Sequence, residues 1–114
     1  MPAQQAPNLD DLLRVLNTAT DKDKLQWNET AEEDTYRAEF GLGMVRISKE
    51  PTSSRYVLSL LDREGILLDE YRPSGEGTLV AIEHLYKKAR SRALNLDWKL
   101  QGMYDHLKKL AGEG

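Results

Sequence analysis

Apolar residues recur every three or four positions from residue 78 to residue 110. They are Leu79, Ile82, Leu85, Ala89, Ala93, Leu96, Leu100, Met103, Leu107 and Leu110. That spacing lines one side of an α-helix. The stretch has no proline and one glycine, Gly102, so nothing in it forces a break. As a single helix it would be about 50 Å long, at about 1.5 Å per residue. This exceeds the width of a small domain, so part of the helix should find cover outside its own sheet.

A second helical face appears near the start, at Leu9, Leu12, Leu13 and Leu16. Asn8 suits its N-cap, and Asp10 and Asp11 suit the positive end of its dipole. Between the two helices the period falls to two. Tyr36, Ala38 and Phe40 alternate with polar residues; so do Val45 and Ile47, and then Tyr56, Leu58 and Leu60. The last strand covers residues 66–71. Gly41-Leu42-Gly43 and Asp62-Arg63-Glu64-Gly65 are turn signals. Leu25 and Trp27 form a short strand or an extended lead-in.

Short connections favour an antiparallel meander. The expected fold is α+β in two layers: a four-stranded antiparallel meander flanked by a short N-terminal and a long C-terminal helix. Both helices should pack on one face. Residues 8–111 form one domain, and residues 1–7 a disordered leader. The expected core is Trp27, Tyr36, Phe40, Val45, Ile47, Leu58, Leu60, Leu85, Ala89 and Ala93. The small Ala89 and Ala93 imply a close approach of the helix to the sheet.

The order of these pieces resembles that of small bacterial proteins and domains of unknown function. Its carriers are Leu12-Leu13, Thr18, Leu25-x-Trp27, Thr30, Tyr36-x-Ala38 and Tyr56-x-Leu58-x-Leu60-x-Asp62-x-x-Gly65. The helix adds Leu85-Tyr86-x-x-Ala89-Arg90-x-x-Ala93, then Asp97 and Leu107. The resemblance spans most of the chain from Leu9 onward. It implies the fold and a bacterial origin, and carries no activity or site.

Composition narrows the class. The 114 residues suit one domain. The absence of cysteine excludes disulfides and thiolate metal sites. Residues 1–7 show neither the basic cluster nor the apolar run of a signal peptide, and no apolar run approaches membrane-spanning length. Sixteen Lys and Arg against nineteen Asp and Glu give a net charge of −3. That balance fits a cytoplasmic chain with no global attraction for nucleic acid or membranes.

Candidate chemistry is sparse. His84 and His106 would lie about 33 Å apart on a continuous helix, so one chain cannot bring both to one metal. The glycine-rich loop 73–78 enters a helix as phosphate-binding turns do. It lacks the P-loop lysine, however, and Glu76 would repel an anion. It reads as a connector with Ser74 or Thr78 as N-cap. Glu32, Glu33 and Asp34 form an acidic run without a partner ligand. Asp62, Glu64, Asp69 and Glu70 cluster around the last hairpin without a feature that would raise a pKa. Ser53 and Ser54 have no histidine near them. The chain is therefore not expected to be an enzyme, and no cofactor or metal is implied.

The leading expectation is a non-catalytic protein-interaction module that self-associates through the C-terminal helix. The alternative is a nucleic-acid or small-ligand binder, and an undetected enzyme comes third. Lys87, Lys88, Arg90 and Arg92 are the cations a nucleic acid would use, with Arg37, Arg46 and Arg55 on the open sheet face. The partner surface is expected at Leu94, Trp98, Gln101 and Asp105, on the side of the helix opposite its main stripe. A helix covered only by its own sheet should be polar there, and tryptophan is enriched among interface anchors. A kink near Asn95 or Asp97 would instead turn Leu94 and Trp98 into the core.

Overall fold

The computed structural model describes residues 8–113. The expected leader, residues 1–7, lies outside them. Helix α1 (Leu9–Asp21) precedes strands β1 (Trp27–Glu29), β2 (Thr35–Phe40), β3 (Gly43–Lys49), β4 (Tyr56–Asp62) and β5 (Leu67–Tyr71). Helices α2 (Glu76–Ala93) and α3 (Leu96–Leu110) complete the chain. The strands form one antiparallel sheet in chain order. It has five strands where four were expected. The residues around Trp27 are not a lead-in: they pair with β2, Trp27 opposite Ala38.

The registers explain the core. Tyr36, Ile47, Leu58 and Tyr71 form one cross-strand row, and Ala38, Val45 and Leu60 the next. Alternation sends both rows to one face. Helix α2 covers that face with Ile82, Leu85, Tyr86 and Ala89, all buried. Helix α1 packs beside α2 and adds Leu13 and Leu16 to the same core. Both helices thus lie on one side of the sheet, as the pattern required. Polar contacts fasten α1 to α2: the Asn17 side-chain amide donates to the Ala81 carbonyl at 3.3 Å, and Lys88 pairs with Asp21 at 2.9 Å.

Local chemistry fixes the ends of these elements. The Asn8 side chain accepts from the Asp10 amide at 2.7 Å, the expected N-cap. Buried Thr20 closes the other end of α1. Its hydroxyl donates to the Leu16 carbonyl at 2.7 Å and accepts from the Trp27 indole at 3.1 Å. The Gly43 position has no room for a side chain: a Cβ there would stand 2.2 Å from the Leu61 carbonyl oxygen. Helix α2 starts at Gly75, with no side-chain cap. Neither Ser74 nor Thr78 caps it; the Thr78 hydroxyl instead donates to Asp10 of α1 at 2.6 Å.

Most of the expected core is buried, with three corrections. Phe40 is 44% exposed. It has the parity of the core face but sits at the end of β2, opposite Gly43, beside the exposed turn at Gly41 and Leu42. Leu60 and Ala93 are half-buried at the margins of the helix–sheet contact.

The larger correction concerns the long helix. Its periodicity runs without interruption from Leu79 to Leu110, yet the backbone breaks between α2 and α3. Asn95 adopts a left-handed conformation, φ 52° and ψ 44°. Asparagine is among the few non-glycine residues that accept it at low cost. The single rod of about 50 Å is thus two, of about 27 Å and 22 Å at about 1.5 Å per residue. Helix α3 makes its main contacts with α2. The Cα envelope is accordingly 68 × 30 × 26 Å, and the radius of gyration is 17.0 Å. A compact domain of 100 residues has a radius near 13 Å.

Candidate functional site

Helix α3 contains no buried residue. Leu96 is half-buried near the break, and beyond it Leu100 and Leu107 are each 59% exposed, Met103 63% and Leu110 71%. Their steps of four, three, four and three residues place all five on one stripe. This stripe was expected to face the protein's own core. It faces solvent because the turn at Asn95 carries α3 away from the sheet.

The expected partner residues divide between two places. Leu94 is half-buried and packs against the core, where it follows the last turn of α2. Trp98, Gln101 and Asp105 are exposed on α3, on the side opposite the leucine stripe. The Gln101 amide donates to the Asp105 carboxylate at 3.0 Å, one turn on. Trp98, at 80% exposure, therefore stands among polar groups and has no apolar companion from Leu94. Asp97 occupies the first turn of α3 and Lys108 and Lys109 the last, with Lys99 and Asp105 between them. Lys108 also lies over the Tyr104 ring, 5.6 Å from its centroid.

The cations of α2 are mostly matched. Lys87 pairs with Glu83 at 2.9 Å, Lys88 with Asp21, and Arg92 with Asp23. The hydrogen bond from Lys87 holds the Glu83 carboxyl below its usual pKa, and Glu83 raises the pKa of Lys87 in return. Among the described residues Arg90 has no ion pair. It borders a hollow with Asp34, Lys49 and Tyr86. The four cations thus present little net positive charge to a phosphate backbone.

The sheet face away from the helices carries Arg37 and Arg46 directly opposite each other on β2 and β3. Like charges in that relation repel. Among the described residues neither guanidinium forms an ion pair or hydrogen bond. Both line a hollow of about 260 Å³, with Thr30, Thr35, Met44 and Glu32 around it. Arg55, expected with them, lies in the connection before β4, outside that hollow.

The remaining polar residues are accounted for structurally. Asp62 Oδ1 accepts from the Glu64 and Ile66 amides, both at 2.9 Å, and so shapes the β4–β5 turn. Asp69 accepts from the Glu70 amide, and Glu70 pairs with Arg72. No acid–base pair forms there. His84 is exposed on α2 and His106 on α3. Among the described residues no cluster of histidines and carboxylates could hold a metal.

One cluster had no distinct sequence signal. Tyr86 of α2 sits between Tyr36 and Tyr56, with ring centroids 5.7 Å and 5.2 Å away. Burial, reinforced by Tyr36 and Asp34, pushes the Tyr86 hydroxyl well above the usual tyrosine pKa. Burial also raises Tyr56, and raises Tyr71 with help from Asp69. The period-two pattern places Tyr36 and Tyr56 on the core face, but only the docking of α2 brings Tyr86 between them.

No helix of the described residues is long and apolar enough to cross a membrane. Comparison with protein-family models, curated proteins and solved structures returns no match to this chain.

Proposed function

We propose that this protein is a non-catalytic interaction module of the cytoplasm that self-associates through α3. The observation that carries the reading is the stripe of half-buried Leu96 and exposed Leu100, Met103, Leu107 and Leu110 on a helix whose main contacts are with α2. A 15-residue helix is marginal alone in water, and cover for its apolar face would hold it. Fully burying one such side chain contributes about 1.5–3 kcal/mol. The strongly exposed four have about 60% of that gain still to make. Two copies together would then recover roughly 7–14 kcal/mol. Association costs roughly 4–15 kcal/mol. The balance is close, so the dimer is weak and concentration-dependent.

Sedimentation equilibrium across roughly 1–500 µM tests this, a range that brackets weak association. The mass should rise from monomer toward dimer. A monomer throughout refutes self-association.

A second reading, a small-anion binder, is favoured by Arg37 and Arg46 alone. Two guanidinium groups face one carboxylate, Glu32, in that hollow, and neither is ion-paired among the described residues, so an incoming phosphate or carboxylate would offset their repulsion. Calorimetric titration with inorganic phosphate should then give heat that Arg46→Ala abolishes. No heat from the intact chain removes this reading. The α2 cations support nucleic-acid binding less, because three of the four are already paired.

A further inference from the structure

Self-association through α3 leaves the direction of the second helix open. Building on that reading, we infer that the second copy lies antiparallel along α3, with the two-fold axis level with Gln101 and Gly102. Leu96 then packs on Leu107 of the second copy, and Leu100 on its Met103.

Three features of α3 carry this. The first is charge. Asp97 in its first turn and Lys108 in its last lie on the same flank of the stripe, whereas Lys109 lies on the far side and Lys99 and Asp105 fall between. Antiparallel copies set Asp97 of each beside Lys108 of the other. The helix dipoles then add to the attraction. Parallel copies would set acid beside acid and base beside base.

The second feature is bulk. Each α3 carries its sheet and helices α1 and α2 at its N-terminal end only. Packed helices run 8–10 Å apart, whereas the envelope across the long axis measures 30 × 26 Å. Parallel copies would crowd both bodies at one end. Antiparallel copies send them to opposite ends of the pair.

The third is register. In the reversed copy each step of four faces a step of four and each step of three faces a step of three, so the seam residues stay level. One register pairs Leu96 with Leu107 and Leu100 with Met103, and the same pairs recur across the two-fold axis, as an isologous contact requires.

The chain has no cysteine, so introduced thiols report alone. Leu96→Cys and Leu107→Cys chains are mixed and mildly oxidised. The inference expects a mixed disulfide between the two variants and none within either. In the antiparallel register, two copies of residue 96 stand about 16 Å apart along the axis, at about 1.5 Å per residue. A disulfide spans no more than about 7 Å between Cα atoms. Leu96→Cys that cross-links to itself, while the unmodified protein is dimeric by sedimentation, overturns the direction and leaves self-association standing. A monomeric unmodified protein overturns both.

Spin labels at Ala111→Cys keep the test valid if the seam cysteines weaken the dimer, because Ala111 lies outside the five seam residues. Antiparallel copies hold those positions about 28 Å apart along the axis. Parallel copies bring them side by side, and a distance under about 20 Å refutes the inference.

Discussion

Replacing Thr20 by valine removes one hydroxyl and keeps the shape of the side chain. Thr20 is fully buried, and Trp27 is 4% exposed. The hydroxyl donates to the Leu16 carbonyl and accepts from the Trp27 indole N–H. The Leu16 carbonyl lies within α1 and keeps its backbone partner one turn on. The indole N–H has no such reserve. In Thr20→Val it is buried without an acceptor, and such a loss costs about 1–3 kcal/mol. For a chain of this length that is a fall of roughly 3–6 °C in Tm per kcal/mol. Chemical denaturation followed by far-ultraviolet circular dichroism measures it. The decisive comparison uses Trp27→Phe as background, which removes the donor. Thr20→Val should then cost at least about 1 kcal/mol less than in the unmodified chain, a coupling typical of direct contacts. An equal cost in both backgrounds, or a single-variant cost below about 0.5 kcal/mol, refutes the argument.

Four further outcomes are expected from other parts of the molecule. Ala89 is fully buried where α2 meets the sheet, so Ala89→Leu should lose about 1–3 kcal/mol by overpacking; an unchanged denaturation midpoint would contradict that placement. The Tyr71 hydroxyl is buried beside Asp69 and makes no hydrogen bond of good geometry, so Tyr71→Phe should leave stability level or raise it by up to about 1 kcal/mol, read from the same denaturation curves. Leu107→Asp should hold the protein monomeric with its circular dichroism intact, whereas Trp98→Asp, on the opposite side of α3, should leave the dimer unchanged; the reverse pattern in sedimentation would move the interface to Trp98. Tyr56, Tyr71 and Tyr86 have pKa values raised above 10.0, so their contribution is complete below about pH 10 and is lost as pH rises through the folded values; stability that stays flat in denaturation curves well above about pH 10 would show that these hydroxyls ionise freely.

Period two and period three-to-four are enough to read the sheet, both helical faces and the side of the sheet they share. Strand β1 is harder, because three residues hold too few alternations to show a period. Phe40 obeys the alternation and is still exposed, since parity selects a face and says nothing of how far the covering helix reaches. The break at Asn95 leaves the main stripe uninterrupted; its one sign is Leu94 and Trp98 on the other side of the helix, which an unbroken helix with a partner explains equally well. Asparagine permits a left-handed turn without requiring it, and no glycine or proline accompanies it. Without the break, the spacing assigns the leucine stripe of α3 to the core and Trp98 to a partner; with it, the stripe faces solvent and Trp98 stays exposed. The Arg37–Arg46 pair is visible as two cations on the open face, but their direct opposition depends on strand register.

The turn at Asn95 also makes α3 a lever. About 22 Å of rigid rod swings from one residue's two backbone angles, so a rotation of about 10° there carries Leu110 through roughly 4 Å. The main contacts of the rod are with α2 and not with the sheet. In a pair of copies each lever is clamped by the other, and the distance between the two sheets is then governed by the torsion of Asn95 in each chain. That joint lies outside the seam, so sequence change there can re-aim the two bodies while every seam contact is kept.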